Sequence, residues 1–165
     1  MISVVILGVV AAAAMPNLSS IDPTIKLDTA AKEIAEAIRF ARIESIRTKI
    51  SRGIYTDAAS EQVRVYSLPA ASPVYDIYHP INKKLYDIQL KTDAFVAGVD
   101  LVSASFSFAG TASSSYYMSF NTEGYPKTTS SGTDYMLTSG IITLSYQGQQ
   151  RIVSIAPMTG RVTIQ

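Results

Sequence analysis

Apolar and polar residues follow three different rhythms along this chain, and each rhythm predicts a different element. Residues 1–15 (Met-Ile-Ser-Val-Val-Ile-Leu-Gly-Val-Val-Ala-Ala-Ala-Ala-Met) carry no charge and are apolar on every side until Pro16-Asn17. After a polar connector, Ile34, Ala35, Ile38, Ala41, Ser45 and Ile46 recur at helical spacing on one face, while Lys32, Glu36, Arg39, Arg47 and Lys49 lie mainly elsewhere. Asp28 or Thr29 can cap that helix, and Arg52-Gly53 suits its end, because glycine accepts the left-handed backbone of a C-cap.

From Gly53 onward the helical period disappears, and short runs of Val, Ile, Tyr, Phe and Thr alternate with Gly, Pro, Asn, Asp and Ser. Strands are expected at 53–57, 62–68, 85–91, 103–108, 116–121, 141–146, 151–155 and 161–164. Gln147-Gly148 makes the clearest hairpin turn, a second turn lies at 156–160, and His79 to Lys84 reads as a turn between two Tyr-bearing extended segments. The loop-like stretches are 17–26, 69–73, 110–115 and 127–134, the last expected to be exposed and mobile. The fold class is therefore α+β: a long N-terminal α-helical stem followed by an antiparallel β-sheet head. The division is 1–27 hydrophobic stem and connector, 28–52 amphipathic helix packed on the head, and 53–165 β-rich head.

The opening run raises the question of membranes. As a helix it spans roughly 22 Å, short of the about 30 Å of a bilayer core. The alanines at 11–14 offer small-residue cleavage sites, but no Lys or Arg precedes the run, as a secretory signal would require. Charged residues make up 16% of the chain, its net charge is +1, and it has no Cys and one His. Disulfides and cysteine nucleophiles are excluded, a His-rich metal site is impossible, and bulk charge recommends no polyanionic partner.

Gly8 and Pro16, eight residues apart in an apolar helix, are spaced as in type IV pilins and type II secretion pseudopilins. The helical segment Ile38-Arg39-Phe40-Ala41-Arg42-Ile43-Glu44-Ser45-Ile46-Arg47 resembles the H-type minor pseudopilins (the GspH/FimT group). So do Met118-Ser119-Phe120-Asn121-Thr122-Glu123-Gly124-Tyr125-Pro126 and Met158-Thr159-Gly160-Arg161-Val162. The resemblance covers the whole chain, is strongest at its two ends and is weak across residues 54–110. The family's basic leader and its start resembling Phe-Thr-Leu-Ile-Glu are not found. Aligning on Gly8 and Pro16 puts Met1 about six residues inside the mature stem, and restoring them gives roughly 31 Å, enough to span a bilayer.

The resemblance implies a minor pilin or pseudopilin, not an enzyme, that partners with other pilin subunits in a filament and with the inner membrane before assembly. It implies a single-pass location there and a periplasmic or extracellular filament afterwards. Ile2, Val4, Val5, Ile6, Leu7, Val9 and Val10 would provide the membrane and filament stem surface. Gly8 and Pro16 would bracket a stretch where the stem helix breaks. The alternative is a DNA- or surface-binding tip subunit, with Lys83, Lys84 and Lys127 on exposed turns as the phosphate contacts, although the net charge does not favour DNA.

Other chemistry finds little support. His79 precedes a proline in a turn and has no partners at catalytic spacing. Asp76, Asp87, Asp93, Asp100 and Glu123 show no calcium-loop pattern, and the glycines form no phosphate-binding motif. No catalytic residue, metal ligand or cofactor is expected. Arg39, Arg42, Arg47, Lys49 and Arg52 share their helix with Glu33, Glu36 and Glu44, as on a solvated, salt-bridged face. The ten tyrosines fit either half-buried sheet positions or a stacking platform for a sugar or a single strand.

Overall fold

The computed structural model describes residues 23–69, 72–93, 95–111 and 115–165. Its first element, α1, is the helix Pro23–Thr48. It starts before the expected Asp28 or Thr29 cap, because Pro23 has the fixed φ and missing N–H that suit a first helical position. The loop expected at 17–26 is thus helix from residue 23 onward. Thr29 Oγ1 donates back to Ile25 O (2.7 Å), and Asp28 pairs with Arg151 (2.6 Å), so neither serves as a cap. The helix also stops before Gly53: Lys49 takes the left-handed conformation (φ 56°) that ends it, and Gly53 lies inside the first strand.

Nine strands follow among the described residues: β1 Ser51–Asp57, β2 Gln62–Leu68, β3 Asp87–Gln89, β4 Asp100–Phe108, β5 Tyr117–Phe120, β6 Pro126–Ser130, β7 Thr133–Tyr146, β8 Gln149–Ile155 and β9 Val162–Ile164. All pairings are antiparallel, in the order β3-β2-β1-β5-β6-β7-β8-β9, with β4 pairing to β7 off that path. β7 is the member that changes partners: residues 133–136 pair with β6, and residues 137–146 pair with β4 and β8. The antiparallel sheet expected from the short apolar runs is therefore present, and α1 lies against it.

Two boundaries differ instructively. Residues 127–134, expected as a mobile loop, form the β6–β7 hairpin, with Thr129 opposite Asp134 and Ser130 opposite Thr133. Ser131 and Gly132 both have positive φ (50° and 80°), the two-residue turn that matches strand twist, and β-branched Thr suits the flanking strand. Conversely, the strand expected at 85–91 shrinks to Asp87–Gln89 at the sheet edge.

The core forms where α1 meets the sheet. Leu27, Ala30, Ala31, Ile34, Ala35, Ala37, Ile38 and Ala41 are fully buried along one helix face, and its alanines let the sheet approach closely. Opposite them lie Ile54, Val63, Met118 and Phe120, with Phe106, Ile142, Leu144 and Val153 continuing the core along β4, β7 and β8.

Candidate functional site

Three of the four segments that carry the resemblance converge in space at the C-terminal part of α1. Arg42 Nε donates to Gly124 O (3.1 Å), and the Arg42 side chain also lies against Gly160. Gly160 has φ +61°, and a Cβ there would meet the Phe120 ring at 2.7 Å; at Gly124 (φ +88°) it would meet Ile46 Cδ1 at 2.7 Å. Asn121 Oδ1 accepts the N–H groups of Glu123 (3.0 Å) and Tyr125 (2.8 Å), which fixes the turn that presents Gly124. Nearby, Ser45 Oγ donates to Ala41 O (2.9 Å) and accepts from Arg52 N (2.9 Å), locking the start of β1 to the helix. The arrangement is a structural joint: two tight turns and one strand close on a single helix.

The basic residues of α1 do not form a free patch. Arg39 pairs with Glu36, Arg47 pairs with Glu44 (2.8 Å), and Arg42 turns into the joint. Hydrogen bonding to Arg47 holds the Glu44 carboxyl below its usual range.

On the sheet face away from α1, tyrosines form a second cluster. Tyr55 and Tyr117 are register partners with rings stacked at 4.6 Å, and Tyr66 and Tyr75 meet them edge-on at 6.0–6.3 Å. Tyr66 is 3% exposed and lies over Gly53, and burial, with Tyr75 nearby, raises its hydroxyl above the ordinary range. The rings largely face one another, so the cluster serves as an outer core more than as an open stacking platform.

At the β2–β3 edge an open cavity of about 180 Å³ is lined by Arg64, Val65, Tyr75, Ile77, Leu85, Tyr86 and Asp87. Arg64 lies over the Tyr75 ring (5.5 Å) and 3.4 Å from Asp87. Burial, then the charges of Glu33 and Glu36, push the Tyr86 hydroxyl up to about 12. This cavity was missed from the sequence: its walls come from residues 64–65 and 75–87, and only strand register brings them together.

The residues singled out from sequence fare differently. Ile2, Val4, Val5, Ile6, Leu7, Val9, Val10, Gly8 and Pro16 lie outside the described residues. Lys83 and Lys84 are exposed on the expected turn. Lys127 is not on an exposed turn: it lies in β6, 9% exposed, paired to Asp134 at 2.6 Å. His79 holds its turn together, its N–H donating to Lys84 O (2.8 Å) and its Nδ1 accepting the Ile81 N–H (3.2 Å), with its ring edge-on to Tyr86. No group of three or more His, Asp or Glu that could hold a metal occurs among the described residues, and no helix there is long and apolar enough to cross a membrane.

One long helix laid along a curled antiparallel sheet is a pilin-like α+β fold. Among solved structures, the chain is similar to the minor pseudopilin EpsH of the type 2 secretion system of Vibrio cholerae: TM-score 0.53 at 14% identity, over 85% of this chain and 94% of that one. The Pseudomonas aeruginosa type IV minor pilin FimU aligns with TM-score 0.48 at 17% identity, over 84% of this chain and 86% of that one. No family model matches the chain, and no curated protein sequence matches it.

Proposed function

We propose that this chain is a minor pilin or pseudopilin, a structural subunit of a type II secretion pseudopilus or a type IV pilus, and not an enzyme. The observation that carries the reading is the fold it has in common with the solved EpsH chain, 94% of which is covered. The joint at Arg42, Gly124 and Gly160 supports it, because a filament subunit must transmit load between helix and head. In this reading residues 1–15 anchor the chain in the inner membrane before assembly and then pack among like stems. Both surroundings are apolar, so the transfer changes little hydrophobic energy. The head then faces the periplasm or the exterior.

Cell fractionation followed by shearing tests the proposal. The full chain should sediment with inner membrane in cells that lack the assembly ATPase. It should appear in sheared or periplasmic filaments when the ATPase is present. Release of all the protein by osmotic shock in both strains would sink it.

A further inference from the structure

We propose that the edge cavity beside Arg64 is a subunit-docking socket, filled by Phe95 of a second copy of this chain while Asp93 of that copy pairs with Arg64. The inference rests on the filament-subunit reading. At about 180 Å³ the cavity is smaller than the roughly 300 Å³ at which small-molecule sites begin, but it suits one large side chain. Its apolar walls include Ile77, Leu85 and Tyr75, and Leu85 stays 51% exposed at the rim. Beside it the turn carries Tyr78 at 59% and Ile81 at 84% exposure, so an apolar ledge extends the socket outward. An aromatic anchor entering a pocket with an apolar surround is the usual form of an interface hot spot.

Charge selects what accompanies the anchor. Both oxygens of Asp87 accept from Gln62 Nε2 (2.7 Å each), and one also accepts from Gln89 Nε2 (3.0 Å). Arg64 Nε stands 3.4 Å from that carboxylate, and its side chain is 39% exposed. Its guanidinium fork is therefore open to a second carboxylate at the cavity mouth.

This chain itself presents the complementary plug. Phe95 is 73% exposed, and Asp93 lies two residues before it, with Asp93 Oδ1 accepting the Phe95 N–H (3.1 Å) and the other oxygen left for a partner. Burial, then the charge of Asp93, raises the Glu33 carboxyl, so a neighbour's guanidinium on Asp93 would relieve part of that repulsion.

The helix supplies a ruler. Lys26 Nζ donates to Ala97 O (2.6 Å), which ties the plug loop beside the first half of α1. Tyr86 of the socket packs on Phe40 (ring centroids 5.2 Å). Tyr86 also feels Glu33 and Glu36, so the socket meets the helix at residues 33–40 and the plug at 26–33, an offset of roughly 10 Å at about 1.5 Å per residue. A copy shifted by that amount along a parallel stem brings its Phe95 level with the socket below. Plug and socket are different surfaces, so the contact is head-to-tail and propagates without closing.

The absence of native cysteine makes the test clean. Lys84→Cys and Thr92→Cys, both at exposed positions, are made separately in the full chain and co-expressed in cells that assemble the filament, then treated with a short bis-maleimide. Cross-linked dimer should form in the mixture and not with either variant alone. Phe95→Ala or Arg64→Glu should lower its yield about tenfold or more, and Asp93→Arg in the other copy should restore the Arg64→Glu loss. Filaments that assemble without mixed cross-link overturn this contact and leave the filament reading intact. Cross-linking by either variant alone, or an equal yield with Phe95→Ala, also overturns it. A chain that enters no filament overturns both. Melting curves of the parent and of Phe95→Ala, which removes an exposed side chain, should coincide.

Discussion

The two faces of the head sheet are built by different means. The inner face meets α1 through a ladder of fully buried Ala and Ile, whose partners Ile54, Val63, Met118 and Phe120 alternate along their strands. The outer face carries Tyr55, Tyr66, Tyr117 and Arg64, together with the Lys127–Asp134 pair, held by cross-strand neighbours and partly wet. The inner face depends on periodicity, whereas the outer face depends on register. A one-residue slip would carry every outer tyrosine inward, so the outer cluster reports on register while the inner ladder sets stability.

Gly53 is where the two faces can be broken together. Its strand position places Tyr66 on one side and Ser119 on the other, and a Cβ there would lie 2.2 Å from Met118 O and 2.7 Å from the Tyr66 ring. A backbone oxygen cannot move aside without separating β1 from β5. Gly53→Ala is expected to cost more than about 4 kcal/mol and to leave the head largely unfolded by circular dichroism. An unchanged denaturation midpoint would show that this register is wrong.

The faces can next be compared directly. Ile38→Ala removes a fully buried side chain from the inner ladder and should cost about 3 kcal/mol in urea denaturation. Tyr117→Ala removes a ring that is 37% exposed and stacked on Tyr55, and should cost about 1–2 kcal/mol. Equal costs would mean that the outer cluster is a full second core. A negligible cost for Tyr117 would reopen its role as a ligand surface.

The same contrast explains what could be read in the sequence. Periodicity exposed α1, the apolar strands and the Gln147-Gly148 turn, because each is encoded within a few residues (both turn residues have positive φ). It missed the β6–β7 hairpin because Lys-Thr-Thr-Ser-Ser-Gly-Thr-Asp has no apolar face; pairing and turn chemistry alone make it a strand. It misplaced the helix end because Gly53 resembled a cap, while its lack of a side chain serves close strand packing instead. The joint was half visible: its three motifs were marked by resemblance, but their meeting at Arg42 needed the fold. The Arg64 socket was invisible, since nothing local links residues 64–65 to 75–87.

A smaller effect separates Lys127 from the exposed lysines. Lys127→Ala strands Asp134 and opens a nearly buried position, so it should destabilise by about 1 kcal/mol, an amount kept low because Asp134 is half exposed. Lys83→Ala and Lys84→Ala should leave the midpoint within about 0.5 kcal/mol, as surface changes do. If Lys127→Ala behaved like the other two, the ion pair at the outer face would be ornamental.

The smallest effects differ in sign and are best read against pH. Glu33 lies beside α1's buried stripe, and burial, then the charge of Asp93, raises its carboxyl above the ordinary value. The folded protein therefore binds that proton more tightly than the unfolded chain does. Below an ordinary Glu value of about 4.3 both states are protonated, and Glu33→Gln should leave stability nearly unchanged. As pH rises through the raised folded value, the wild type loses stability, so Glu33→Gln should be the more stable protein at pH 7. Asp134 runs the other way. Burial pushes it up, but hydrogen bonds from Lys127 and Thr129 and the Lys127 charge outweigh that and hold it below the ordinary range. Its contribution is complete above an ordinary Asp value of about 3.9 and disappears as pH falls through the lowered folded value. Asp134→Asn should thus be less stable than wild type at pH 7 and converge on it in acid. Thermal midpoints of the two variants at pH 3 and pH 7 check both signs. Should Asp134→Asn gain stability at pH 7, the Lys127 pair does not hold the outer face. Should Glu33→Gln lose it, the repulsion that Asp93 brings to the inner face is absent, and with it one reason for that loop to seek a cation on a neighbouring copy.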